Sequence, residues 1–363
     1  MREQFLNKSK RIVIKIGSSI LADKGVLNVG AVKSIVEQIA ALVGMGKEVI
    51  VVTSGAIASG FSELGFQCRP DKLSCLQASA ALGQSLLMQT YIQLFKKKKM
   101  CCAQVLLTWD DFQVRARYLN AKNTILALLD YNVVPIINEN DTVSTEEIKF
   151  GDNDRLSALV ANVVEADLLI LLSDVDGLYQ DSRKRTKVIS LVQELNTGIE
   201  KLAKDTDKKH ISKGGMISKL EAVGIAVHSK IPTVIANGKT KDIAIKIVEG
   251  KEIGTLFLPK GDRMIAKKRW IAFGVKPHGR IVVDDGAKSA LVERNKSLLC
   301  PGIVDVEGKF HAGDVVAIVD KEGKEIAKGR VNFSKEELVK SKGKRVAKEV
   351  VHRNNLAITY KEK

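Results

Sequence analysis

Lys15 stands inside an otherwise apolar run, RIVIKI, and is followed at once by Gly17, Ser18 and Ser19. A lysine at the end of such a strand is costly to desolvate unless it meets an anion, and glycine lets a ligand approach the backbone closely. The alternative is a side chain that snorkels to solvent. A second segment, VVTSGAIASG, passes from a strand through Ser54 and Gly55 into a helix. Backbone N–H groups at such a start can hold an anion, or the serine can simply cap the helix. The third segment, NENDTVSTEEIKFGDND, spans residues 138–154 and carries six carboxylates in seventeen residues. Asn138, Asn140 and Asn153 add amides that orient a ligand, so the block reads either as a holder of something cationic or as a solvated acidic loop. It lacks the D-x-[DN]-x-[DN]-G register of a calcium loop. Downstream, LLSDVDGLY sets Ser173 and Asp174 at another strand end, and KGGMISK sets Gly214 and Gly215 before Lys219 at a helix start. These make a second anion cradle with its own lysine.

What is missing narrows the chemistry. The chain has no G-x-x-x-x-G-K-[ST] loop, no G-x-G-x-x-G fingerprint and no protein-kinase H-R-D or D-F-G, so phosphate chemistry would use a different cradle. Its five histidines are scattered without metal-ligand spacing, and its five cysteines form no C-x-x-C pair. Buried free thiols are therefore expected, with no zinc cage.

The elements that must carry these residues alternate short β-branched runs with amphipathic stretches, the pattern of βαβ units around a mainly parallel sheet. Strands are expected at 11–16, 48–52, 103–107, 133–137, 168–172 and 232–236. Val32, Ile35, Val36, Ile39, Leu42 and Val43 recur at helical spacing before Gly44 and Gly46, and further helices fit 73–95, 118–131, 155–165 and 216–229. The lysine run at 96–99 reads as a solvated helix end or loop. After Lys267, Lys268, Arg269 and Trp270 the pattern changes to short strands with frequent glycines, and Asp285-Gly286, Glu307-Gly308 and Glu322-Gly323 read as turns of a compact all-β module. The expected organisation is an open, mainly parallel α/β sheet sandwiched by helices over 1–262, a linker over 263–275 and a small β domain over 276–363.

At 363 residues with 45% hydrophobic and 28% charged residues, the chain has the composition of a folded globular protein of about two domains. No stretch approaches the about 18 apolar residues of a membrane span. The run from Ile12 is broken at Lys15 with no small-residue cleavage site after it, so a cytoplasmic protein without a membrane partner is expected. The 58 Lys and Arg against 42 Asp and Glu leave a net charge of +16, which favours an anionic partner without choosing among nucleic acid, nucleotide and acidic metabolite. The last hundred residues, with 22 basic and 13 acidic side chains, are the more basic per residue.

The ordered motifs VVTSGAIASG, INENDTV, FGDNDRLSALVA, SDVDGLY and GGMISK resemble the amino acid kinase family over nearly the whole chain, and in particular its branch acting on the side-chain carboxylate of L-glutamate. GRIVVDDGA, PGIVDVEGKF and VVHRNNL resemble a PUA domain. The resemblance implies the amino acid kinase fold and ATP-dependent formation of L-glutamyl 5-phosphate, the first step of proline biosynthesis. It implies that Lys15 and Lys219 contact the transferring phosphoryl oxygens and that Asp154 orients both. It places Ser54, Asp141, Asn153 and Asn138 around glutamate, with Asp141 facing the ammonium. The nucleotide site would be lined by Lys15, Ser173, Asp174, Lys213, Gly214, Gly215, Met216, Ile217, Ser218 and Lys219, with Mg²⁺ carried mainly on the ATP phosphates. A homo-oligomer, tetrameric in the family, and a glutamyl phosphate reductase partner also follow from the resemblance. The chain departs from the family in reading Ser212-Lys213-Gly214 where a threonine usually precedes Gly-Gly-Met, and Ser173 where threonine is usual.

The chemistry agrees with that expectation. A carboxylic acid of pKa about 4.3 is already ionised near neutrality, so the nucleophile needs no general base. The obstacle is repulsion between two anions, which fixed positive charge relieves. Two readings compete with it. One is a sister kinase acting on N-acetylglutamate, aspartate or UMP, against which Asp141 argues by implying a free ammonium. The other is RNA binding by the basic C-terminal module, which offers few aromatics for stacking beyond Phe310 and Phe333.

Overall fold

The computed structural model describes residues 2–23, 26–144, 153–181, 187–195, 198–199, 202, 215–259, 266–341, 346 and 348–359. Lys213 and Gly214, the stretch 145–152 of the acidic block and residues 263–265 of the expected linker lie outside them. The chain divides into two compact units, Met1–Asp111 with Ala116–Asp262, and Phe112–Arg115 with Arg263–Lys363.

The first unit is built on strands β1 (Arg11–Ile16), β2 (Glu48–Val52), β3 (Cys101–Leu107), β4 (Val133–Glu139), β5 (Leu168–Ser173), β6 (Leu191–Val192), β7 (Thr233–Asn237) and β8 (Thr255–Phe257). They lie in the order β3-β4-β2-β1-β5-β7-β8-β6. Pairing is parallel from β3 through to β7, β8 runs antiparallel to β7, and β6 runs parallel to β8. β1 and β5 are buried along nearly their whole length, which a sheet covered on both faces requires and which explains their unbroken apolar runs. The helices are α1 (Val29–Gly44), α2 (Ala56–Gly60), α3 (Leu73–Lys97), α4 (Arg115–Asp130), α5 (Asp154–Val163), α6 (Met216–His228) and α7 (Ile243–Val248). Asn28 opens α1 by accepting the Ala31 N–H at 3.0 Å, satisfying one of the free donors of a helix start. The apolar side of α1, from Val32 to Leu42, packs with Ile12, Ile14, Val49, Val51 and Ile170 in one core.

The expected elements are all present, with shifts that matter at the site. β4 continues through Asn138 and Glu139, so those residues belong to a strand end rather than to the loop after it. Asp154 is the first residue of α5. Register fixes what meets: Lys15 pairs with Val52 on one side and Leu171 on the other, and the Thr53 N–H donates to the Ile137 carbonyl at 2.9 Å. The carboxyl ends of β1, β2, β4 and β5 therefore lie side by side. β1 is also the point where chain order reverses, with β2 on one flank and β5 on the other, the place where open α/β sheets form a ligand crevice.

Two glycines set the wall of that crevice. A Cβ on Gly60 of α2 would collide with the Ser79 carbonyl oxygen of α3, and one on Gly83 of α3 would collide with the Ala56 carbonyl oxygen of α2. The two helices cross at backbone contact, a separation only glycine permits. Gly55, just before α2, holds φ at +100°, again a glycine conformation.

The second unit is a five-stranded sheet of β9 (Gly279–Val283), β10 (Ile303–Gly308), β11 (Val315–Val319), β12 (Glu325–Arg330) and β13 (Leu356–Ile358), ordered β10-β9-β11-β12-β13. Its core gathers Ile281, Val283, Phe310, Val316, Ile318, Ile326 and Leu356. Glu307-Gly308 closes β10, and Glu322-Gly323 turns β11 into β12 with Gly323 at φ +78°. Asp285-Gly286 is no turn: it opens helix α8 (Asp285–Val292), because the Asp284 carboxylate accepts the Ala287 N–H at 2.7 Å and caps it. A second helix, α9 (Lys335–Ser341), joins the sheet with Leu338 in the core. Within the expected linker, Trp270 is buried and its indole N–H donates to the Phe112 carbonyl at 2.9 Å.

The expectation of buried thiols is corrected. All five cysteines are free, but Cys68 and Cys101 are exposed, Cys75 and Cys102 are half-buried, and Cys300 alone is buried. The lysine run 96–99 is exposed at the end of α3, as its charge requires. Among the described residues, no helix is long and apolar enough to cross a membrane.

Candidate active site

Lys15, near the end of β1, and Lys219, in the first turn of α6, converge on the first residue of α5. Lys15 Nζ lies 2.5 Å from Asp154 Oδ1 and Lys219 Nζ lies 3.1 Å from Oδ2. The aspartate is 0% exposed, and the two lysines are only 3% and 6% exposed. A lone carboxylate so buried would be strongly penalised, and the two ammonium groups offset that cost. The set still carries one formal positive charge in excess, at the carboxyl end of a central strand where an arriving anion would balance it. Gly17 keeps the approach open: a Cβ there would stand 3.9 Å from Lys15 Nζ and 3.3 Å from the Leu172 carbonyl oxygen.

Beside the triad a chain of amides crosses three strand ends. Asn153, which precedes α5, donates through Nδ2 to the Thr53 carbonyl at 2.6 Å, to Asn138 Oδ1 at 2.7 Å and, at 3.4 Å, to Ser54 Oγ. Asn138 Oδ1 also accepts the Glu139 N–H at 3.0 Å, while Asn138 Nδ2 donates to Gln84 Oε1 at 2.8 Å. Ser54, Asn138, Asn153 and Asp141 all line one cavity of about 490 Å³, together with Ser18, Ser19, Gly55, Cys68 and Arg69. That volume suits a small polar metabolite. Asn140, by contrast, accepts from its neighbour, the Thr142 hydroxyl, at 2.5 Å. It lines a smaller cavity of about 250 Å³ shared with Gln84, Glu139 and Asp141.

On the other flank of β1, Ser173 ends β5. Its side chain is buried and, among the described residues, its hydroxyl has no hydrogen-bond partner. Asp174 follows it, exposed. Gly215 caps α6, Met216 is buried against the core, Ile217 is exposed, and the Ser218 hydroxyl donates to the Gly215 carbonyl at 2.9 Å and reaches Asp154 Oδ2 at 3.5 Å. Thus Lys15, Asp154, Lys219 and Ser218 form one cluster, and Ser54, Asn138, Asp141 and Asn153 form another beside it.

Residues 10–237 match the amino acid kinase family and residues 279–353 match the PUA domain. The chain belongs to the amino acid kinase family. Among curated members, the protein of Caldanaerobacter subterraneus subsp. tengcongensis named Glutamate 5-kinase is 46% identical, over 96% of this chain and 97% of its own length. Those of the same name from Syntrophotalea carbinolica and Geobacter sulfurreducens are each 43% identical, over 99% of this chain and all of theirs. A solved UMP kinase from Bacillus anthracis superposes with a TM-score of 0.47 at 17% identity, over 71% of this chain and 99% of its own.

Two residues of α3 beside this candidate site carried no motif: Gln84, which lines the smaller cavity, and Tyr91, which shares a 3.0 Å hydrogen bond with the Thr53 hydroxyl. Burial holds the Tyr91 phenol well above its ordinary pKa, so it stays a neutral hydroxyl. Their signal was positional: Gln84 falls on the same helical face as Leu76, Ala80, Leu87 and Tyr91, where a polar side chain needs a partner.

Proposed function

We propose that the chain transfers the γ-phosphoryl group of ATP to the side-chain carboxylate of L-glutamate, forming L-glutamyl 5-phosphate, the first step of proline biosynthesis. The reading is carried by near full-length similarity to proteins named Glutamate 5-kinase, and the triad supplies a physical route. Lys15 and Lys219 would meet the phosphoryl oxygens and offset the charge of two approaching anions. Asp154 would hold both amines in place without accepting a proton. Ser54, Asn138 and Asn153 would orient glutamate in the larger cavity, with Asp141 facing its ammonium. Ser173, Asp174 and the start of α6 from Gly215 would line the nucleotide side, and Lys213 and Gly214 are proposed there from the sequence.

Among the described residues no group of three or more His, Cys, Asp or Glu side chains is placed to cage a metal, and both oxygens of Asp154 face lysines. On the family resemblance, Mg²⁺ is proposed on the phosphates of ATP, where it would shield their charge. Cytoplasmic location, a homo-oligomer, a reductase that takes the labile product, and RNA as a further partner of the PUA domain are proposed on the family resemblance.

The test is hydroxylamine trapping with ATP, Mg²⁺ and L-glutamate, since acyl phosphate gives a coloured hydroxamate. Hydroxamate that depends on both ATP and L-glutamate is expected. ATP turnover with N-acetylglutamate, aspartate or UMP but not with L-glutamate would overturn the reading.

A further inference from the structure

The amide chain at the acceptor cavity has only one consistent orientation. The Thr53 carbonyl can only accept, so Asn153 must turn Nδ2 toward it. The Glu139 backbone N–H can only donate, so Asn138 must turn Oδ1 toward it, and the same oxygen receives Asn153. Asn138 Nδ2 is then left facing Gln84, whose Oε1 accepts it at 2.8 Å. Gln84 is 8% exposed, and among the described residues its Nε2 has no hydrogen-bond partner. The oxygen end of this side chain therefore carries its polar contact, on a helix face otherwise given to packing. Its backbone is held as firmly as the amide: the adjacent Gly83 lies against the Ala56 carbonyl, so α3 cannot shift relative to the segment that carries Ser54 without a clash.

We propose that Gln84 is a positioning residue for the acceptor site. It acts through Asn138, whose amide it locks so that Asn138 and Asn153 present fixed donors and acceptors to the substrate. Without that acceptor, Asn138 Nδ2 would be buried unsatisfied, and the side chain would rotate to find a partner, taking the Asn153 contact with it. The proposal rests on L-glutamate being the acceptor.

The experiment is a double-mutant cycle of Gln84→Met and Asn138→Ala, with Gln84→Glu as the conservative variant. Hydroxamate kinetics are taken against L-glutamate and against ATP, and melting is followed by circular dichroism. Gln84→Met is expected to raise KM for L-glutamate about tenfold, the scale of one buried hydrogen bond, with KM for ATP and kcat within about threefold of wild type. Gln84→Glu keeps an oxygen facing Asn138 but adds a carboxyl beside Glu139 and Asp141, so its KM for L-glutamate is expected to come within about threefold of wild type only as lower pH neutralises that carboxyl, both proteins being measured at the same pH. The double variant is expected to be no worse than Asn138→Ala alone, because one residue acts through the other.

Unchanged KM for L-glutamate in Gln84→Met overturns the proposal, as does a parallel rise in both KM values, which marks general loosening. Additive effects in the cycle also overturn it. If Gln84→Met does not fold, the pH series of Gln84→Glu decides: a glutamate KM still raised about tenfold over wild type at the lowest pH at which wild type turns over overturns the proposal, and a near wild-type value there supports it. A wild-type chain that makes no hydroxamate from L-glutamate overturns the functional reading and this proposal together. Wild-type turnover with flat Gln84→Met kinetics overturns the proposal alone.

Discussion

Replacing Asp154 with asparagine keeps the shape of the triad and removes its only negative charge. In the wild type both carboxylate oxygens are engaged, by Lys15 at 2.5 Å and Lys219 at 3.1 Å, with no exposure to water. Each such charge-assisted contact contributes about 1.5–3 kcal/mol, so about 3–6 kcal/mol of lysine orientation is at stake. The two ammonium groups would then face each other across a neutral amide. At a separation of about 5 Å and an effective dielectric of about 20, their repulsion is about 3 kcal/mol. Much of this relaxes as the lysines swing apart or one sheds its proton. If about 3–4 kcal/mol persists where the phosphoryl group is transferred, kcat falls by about 100- to 1000-fold. KM for L-glutamate should stay within about threefold, because the amide-lined cavity is built from other side chains. The assay is hydroxamate formation by purified Asp154→Asn, with its fold checked by circular dichroism. A folded variant whose kcat lies within about fivefold of wild type would refute the idea that this carboxylate organises the two lysines.

Further outcomes follow from the same geometry. Gly83→Ala pushes a methyl group into the Ala56 carbonyl and should cost at least about 1–3 kcal/mol in urea unfolding, the price of overpacking, while an unshifted midpoint would contradict the close helix crossing. In the second unit, the Lys288 ammonium 2.8 Å away and the backbone N–H groups of Glu322 and Lys324 hold the Asp320 carboxyl below its ordinary range against the opposing effect of burial. A depressed folded-state pKa stabilises above the unfolded value of about 3.9 and is lost as pH falls through the folded one. Asp320→Asn should therefore lose stability at pH 7 while flattening the acid dependence below about pH 4, as read by urea midpoints. Burial, with the neighbouring Cys101 adding to it, pushes the Cys102 thiol up to about 11, whereas Cys68 and Cys101 are exposed. Iodoacetamide near pH 8 should label those two first, and mass spectrometry showing Cys102 labelled ahead of them would contradict the burial argument.

Lys15 was legible because it interrupts an apolar run, and the strand that holds it reads off its β-branched residues directly. Asp154 was visible as part of an acidic block, but its position as the first residue of α5 places its carboxylate between two lysines, which only the fold displays. Gln84 showed only as a polar residue on an otherwise apolar helix face, with no sign of its partner. Its partner Asn138 lies 54 positions away and Asn153 reaches Thr53 across 100. Helical periodicity tells which residues share a face and says nothing of what that face meets. The Asp285-Gly286 pair misled for a local reason: the same dipeptide suits a turn or a helix start, and the Asp284 cap decides. The cysteines misled because free thiols favour the interior on average, while Cys101 opens a strand at the sheet edge.

The triad takes one member from near the start of the chain, one from the middle and one beyond residue 200, and each sits at the end of a different element. A ribosome must therefore release α6 before the second amine exists in space, and long-range sheet pairing must be complete before either amine finds its counter-ion. Copies that end before α6 would accordingly lack the second amine and be inert.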